Sequence, residues 1–208
     1  MGKRQREWRQ VYDSHTHLND DPFYDDVPAF ENRAAHYGVT QMNIVGSNAT
    51  LNQRALALGR QYPNLHPIVG WHPEDIRAFD EDAKATLWEQ VHDPRVVAIG
   101  EIGLDYYNDQ QSPHDRQQEV FAEQLDWARQ LNLPVSIHCR EALADTYELL
   151  KDAHVDEFGG GSCTALTGHR TGPRSFWTWE WRFPSAGSPV LAALKRFMRR
   201  YGPYHYHG

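Results

Sequence analysis

Five times along residues 11–153, a short β-branched or apolar run is followed by a longer stretch with helical spacing. The runs are Val11–His15, Gln41–Gly46, Pro67–Trp71, Arg95–Glu101 and Pro134–His138. The stretches are Asp26–Tyr37, Thr50–Tyr62, Asp80–His92, Pro113–Leu131 and Glu141–Ala153. Short apolar runs of this kind predict buried strands, and the longer periodic stretches predict helices. Leu125, Ala128 and Leu131 mark an apolar face on the fourth helix, and Pro113 suits its first turn. Gly38 and the Tyr62-Pro63-Asn64 break read as helix stops. Strands joined through helices run parallel, so the alternation predicts an α/β chain with a parallel sheet, doubly wound or a TIM-type (β/α)8 barrel. A full barrel takes about 250 residues. About five units in a chain of 208 residues therefore predict an incomplete one.

Metal-competent side chains fall where four of the five predicted strands stop. Tyr12-Asp13-Ser14-His15-Thr16-His17 ends the first. Residues i and i+2 share a strand face, so His15 and His17 can grip one cation. Alone, such a pair is more readily two histidines bonded to backbone; Asp13 and the position at a strand end add to the metal reading. Glu101 closes Val96-Val97-Ala98-Ile99-Gly100, where a buried acid is costly unless paired or bound to metal. A salt bridge to Arg140 is the simple alternative. His138 closes Leu133-Pro134-Val135-Ser136-Ile137, and His72 follows Gly70-Trp71. Each reads singly as an ordinary core histidine. Their joint position at carboxyl strand ends, where active sites of parallel α/β folds form, is far more specific. His36, His66, His92, His114 and His154 lie away from strand ends, and Cys139 reads as a small residue beside the site.

The segments YDSHTHL, GWHPED, IGEIGLDYY and PVSIHCREA, in this order and spacing, resemble the TatD-type metal-dependent deoxyribonucleases of the amidohydrolase-like barrels. The resemblance covers roughly residues 11–158. It implies a TIM-type barrel that hydrolyses phosphodiester bonds in DNA with one or two divalent metal ions. By it, His15 and His17 are metal ligands, Glu101 bridges two metals, and His138 binds the second. His72 and Arg140 are implied near the substrate phosphate. Mixed His/carboxylate ligation suits Zn or Mn, while Mg prefers oxygen, which leaves Mg, Mn and Zn open. Two metals also offset the repulsion between an acidic protein and a polyanion.

The family pattern stops after Glu157-Phe158-Gly159-Gly160. A Met-His-Ser-Phe type strand and a later Glu-Thr-Asp type motif, whose aspartate is catalytic in the family, are absent from the sequence. No catalytic residue is therefore assigned. Charge changes at the same place. Seven Lys/Arg against Glu180 give residues 160–208 a charge of +6, which leaves −13 on residues 1–159 of a net −7. Trp177, Trp179 and Trp181 crowd together, and His205-Tyr206-His207 repeats the earlier spacing. Reading the last base of each codon with the first two of the next restores family-like segments. Cys163–Thr164 then gives His or Tyr, Trp177–Thr178 gives Asp, Trp179–Glu180 gives Gly, and His205–Tyr206 gives Leu. A frameshift near Gly159–Gly161 accounts for this. The chain thus divides into a basic leader at 1–10, a TatD-like partial barrel at 11–158, and an aberrant, out-of-frame tail at 159–208 that should lack a sixth parallel strand.

Remaining composition narrows the classes. No apolar run reaches the ~20 residues that span a bilayer, and the basic start has no apolar stretch behind it. Two cysteines suit a reducing cytoplasm. DNA is the expected substrate, with no membrane and no obligate protein partner. The competing readings are a barrel hydrolase of another ester, such as an aminoacyl ester on tRNA, and an inactive truncated product that only binds metal.

Overall fold

The computed structural model describes residues 10–107 and 112–158, and the backbone of 161–167. Six strands form one parallel sheet in chain order: β1 (Val11–Thr16), β2 (Val39–Val45), β3 (Leu65–Val69), β4 (Ala98–Asp105), β5 (Val135–Arg140) and β6 (Gly161–Thr167). Between them lie α1 (Asp21–Tyr24), α2 (Val27–His36), α3 (Ala49–Gln61), α4 (Glu81–Val91), α5 (His114–Leu131) and α6 (Leu143–Asp152). Sequential neighbours pair throughout, so the sheet winds in one direction, as a barrel does and a doubly wound sheet does not.

Local chemistry sets the helix ends. Asn48 and Asp80 accept hydrogen bonds from the Leu51 and Ala83 N–H groups and cap α3 and α4. Asn132, in the left-handed region at φ 51°, ends α5. The main core lies between the sheet and its helices. Ile99, Ile102, Val135 and Ile137 from β4 and β5 meet Leu87, Val120, Phe121, Leu125 and Leu150 from α4, α5 and α6. Each such side chain contributes about 1.5–3 kcal/mol through burial. On the opposite sheet face Val45, Ile68 and Ala98 form a small apolar layer. Tyr12, Gln41, Asn43 and His66 form a polar group, joined by Tyr12 Oη–Asn43 Oδ1 and His66 Nε2–Gln41 Oε1 contacts of 2.5 and 2.6 Å.

Two expectations are corrected. The first concerns the sixth strand. Gly161–Thr167 pairs parallel with β5, from Val135↔Gly161 to Arg140↔Thr167. A sheet edge recruits main-chain N–H and C=O groups, which every non-proline residue supplies whatever its side chain. The second concerns β4, which runs to Asp105, so Glu101 lies within the strand rather than at its end. Gly100 and Gly103 bracket Glu101, and in sequence they allow close backbone approach. In the fold they are points of close approach: a Cβ on Gly103, at φ 141°, would stand 2.0 Å from the His138 carbonyl oxygen. β5 likewise continues two residues past His138. The leader at 1–10 lies outside the described residues except for Gln10, as does the tail beyond Thr167.

Buried amides hold the loops at the carboxyl end. Asn19 Nδ2 donates to Val45 O at 2.9 Å. Asn52 donates to Gly70 O at 2.9 Å and accepts from Gly70 N at 3.2 Å. Gln124 accepts from Trp71 N at 2.8 Å. Gln117 accepts from Asp105 N at 2.7 Å and donates to Asp105 O at 2.8 Å. These amides meet the hydrogen-bonding needs of backbone groups at the loop junctions.

Candidate metal centre

His15, His17, His72, Glu101 and His138 converge at the carboxyl end of this sheet. Two triads share Glu101: His15, His17 and Glu101, and His72, Glu101 and His138, with one ligand atom of each residue within 4.8 Å of the others in its triad. The pairing of β1 with β2 shifts register between Asp13 and Thr16. Within that irregularity Asp13 Oδ1 accepts from His15 N at 3.2 Å. Asp13 is thus a backbone brace for the irregular end of β1 that presents the histidines, and it stands outside both triads.

The ring tautomers explain why these groups face one another. His17 Nδ1 lies 3.1 Å from Val45 O, so it carries the proton and leaves the Nε2 lone pair toward the site. His138 Nε2 donates to Asp105 Oδ2 at 2.8 Å, which leaves Nδ1 toward Glu101 Oε1, 3.5 Å away. His15 Nε2 is 3.0 Å from His17 Nε2 and 3.5 Å from Glu101 Oε2. His15 Nδ1 is buried with no hydrogen-bond partner among the described residues. Imidazole nitrogens and a carboxylate therefore meet in each triad, where a cation would replace the protons that now join them. Two nitrogens each about 2.0–2.1 Å from one ion stand about 3 Å apart at a right angle. The donor set fits a divalent cation, and its backbone and carboxylate supports fix ring orientation as in known metal sites.

The same contacts set the protonation. Burial alone would raise the Glu101 carboxyl, but hydrogen bonds from His138 and His15 and the nearby imidazoles hold it well below the usual range. Burial works against charge on His138, yet hydrogen bonds to Asp105 and Glu101 outweigh it and carry the ring up to about 9. His72 goes the other way: burial, then the neighbouring His138, push it down to about 4. His72 Nδ1 accepts from Glu74 N at 3.2 Å, so the neutral ring carries its proton on Nε2.

Arg140, the expected partner of Glu101 in the salt-bridge alternative, stands instead 3.9 Å from Asp105 Oδ2 and 3.7 Å above the Tyr107 ring. Asp105 was passed over in the sequence, where it is one acid in a tyrosine-rich segment. It is 2% exposed and accepts from both His138 Nε2 and Tyr107 N, the latter at 3.0 Å. Its signal was period: Asp105 lies four residues beyond Glu101 on the same strand. Gln117 and Gln124 were also missed; their signal is two amides seven residues apart on the apolar face of α5.

A sheet wound in one direction, with a His/carboxylate cluster at its carboxyl end, defines the class of barrel proteins built around a divalent-metal centre. Comparison carries this further. A sequence model described as TatD related DNase matches residues 12–177. The chain belongs to the TatD family. It is 36% identical over 150 residues to YabD of Bacillus subtilis, described as an uncharacterized metal-dependent hydrolase, covering 72% of this chain and 58% of that protein. It is 35% identical over 146 residues to a 3'-5' ssDNA/RNA exonuclease TatD of Salmonella typhimurium, covering 70% of this chain and 54% of the relative. The chain thus spans just over half the length of these relatives. Among solved structures, the TatD homologue YJJV of Escherichia coli superposes with a TM-score of 0.71 at 30% identity, covering 76% of this chain and 61% of that one. A TatD family hydrolase of Entamoeba histolytica shares the fold with a TM-score of 0.67 at 24% identity, over 73% and 57%. No helix among the described residues is long and apolar enough to cross a membrane.

Proposed function

We propose that this chain is a metal-dependent hydrolase of phosphodiester bonds in single-stranded DNA, with His15, His17, Glu101 and His138 as metal ligands. The observation that carries this reading is the set of imidazole nitrogens gathered around the Glu101 carboxylate. A divalent ion held there supplies Lewis acidity and a nucleophile near neutral pH by acidifying water. Glu101 belongs to both triads and suits a bridge between two ions. The Val45 carbonyl and the Asp105 carboxylate hold His17 and His138 in the ligating tautomers. Arg140 presents a guanidinium fork suited to phosphate oxygens. His72, neutral with its proton on Nε2, donates a hydrogen bond to a phosphate oxygen without adding charge. The names of the Salmonella relative and others like it support a single-stranded substrate. The two cysteines favour a cytoplasmic location.

The segment after Gly159 reads as out of frame and holds no Met-His-Ser-Phe type motif, and we read the chain as a weak hydrolase on that ground. Isothermal titration with Mg, Mn and Zn tests the ligands: His15→Ala and His138→Ala should each bind at least about tenfold more weakly, and parent-like binding by both would rule the assignment out. Restoring the frame near Gly160, after sequencing the DNA at codons 155–165, should raise nucleotide release from single-stranded DNA. Equal release by both forms would refute the defect. A repaired, metal-loaded form inert on DNA but active on aminoacyl-tRNA would move the substrate to the other ester.

A further inference from the structure

Two residues beyond β4, Tyr107 is 54% exposed, unusual for so large a ring. It is held there. Its N–H donates to Asp105 Oδ1 at 3.0 Å, and Asp105 is itself fixed through its backbone by Gln117. The Arg140 guanidinium lies over the ring, 3.7 Å from its centroid. The same guanidinium reaches within 3.9 Å of Asp105 Oδ2, the oxygen that meets His138 Nε2. An aromatic face and a cation therefore sit side by side, one carboxylate away from the metal cluster.

We propose that Tyr107 and Arg140 form a nucleotide platform, on which Tyr107 stacks the base next to the scissile phosphate while Arg140 holds that phosphate. This rests on the nucleic-acid reading above and adds to it a residue that reads the base. The chemistry is general. Every nucleobase offers a π-face, and stacking on an exposed tyrosine tolerates any sequence. The cation above one ring face fixes the ring plane and leaves the rest of the aromatic surface to the ligand. A duplex keeps its bases inside the stack, so the platform selects unpaired strands.

The test separates base from phosphate. Short fluorescein-labelled phosphorothioate strands, which resist hydrolysis, are titrated with the full chain in Mn2+ buffer and followed by anisotropy. One strand carries thymines; the other has the same charge and abasic tetrahydrofuran units. The parent should prefer the thymine strand by about fivefold or more. Tyr107→Ala should erase that preference, and Tyr107→Phe should keep it. Arg140→Ala should weaken both strands by the same factor. A Tyr107→Ala protein that retains the parent's preference overturns the platform, as does a parent that binds both strands equally. A parent that binds neither strand overturns the nucleic-acid reading and the platform with it.

Discussion

Asp105 shows how much a single carboxylate organises. One oxygen accepts from His138 and the other from the Tyr107 backbone. Burial would raise its pKa, but the His138 hydrogen bond and charge, with Tyr107 N–H and Arg140, hold it below the usual range. Asp105→Ala removes the group that keeps the His138 proton on Nε2. Metal affinity should fall by about 10–100-fold, the usual effect of deleting a carboxylate behind a ligating histidine; calorimetry showing parent affinity would dismiss this role. The ligand candidates themselves were legible as metal-competent residue types in or just after the predicted strands. Asp105 was not, because its importance comes from a partner 33 residues away. The role of Asp13 was open for a related reason: i, i+2 spacing shows that it belongs with His15 and His17 but not that it braces the His15 backbone.

At the scale of elements, the strand and helix order was plain from periodicity, and the boundaries moved by a few residues. The largest displacement, at β4, arose because the charge of Glu101 ends the apolar run in sequence, while in the fold its imidazole neighbours let the strand continue to Asp105. The amides were invisible to periodicity, since Gln117 and Gln124 interrupt the apolar pattern of α5 that identified it. Their worth can be measured. Gln117 is fully buried and serves Asp105 N, Asp105 O and Ser112 O. Gln117→Leu keeps the volume and strands those groups, at about 1–3 kcal/mol for each left unpaired. Urea denaturation should therefore show a loss of about 3 kcal/mol or more. A loss under about 0.5 kcal/mol would mean that the end of β4 is held by other contacts.

For the whole molecule, the cluster predicts how stability follows pH. The folded pKa of His138, about 9, exceeds its ordinary 6.5, so its stabilising share is complete below 6.5 and fades as pH rises through 9. His72 is depressed from 6.5 to about 4, so the unfolded chain takes up a proton there first, and stability falls as pH drops from 6.5 toward 4. His17 is lowered by burial and acts in the same direction. Metal-free protein should melt highest near pH 6.5. Added metal needs a neutral His138, so its increment in melting temperature should grow between pH 6.5 and 9; an increment independent of pH would remove His138 from the ligand set. The pairing of β6 with β5 carries a different lesson. The open flank of β5 reads its neighbour in peptide units and is blind to what the side chains spell. Such an edge accepts Gly161–Thr167, which contains no histidine, aspartate or glutamate, and would turn away only a residue such as proline that has no N–H to offer. Pairing at β6 thus depends on peptide groups alone, and the sheet takes in a sixth strand that brings neither an imidazole nor a carboxylate with it.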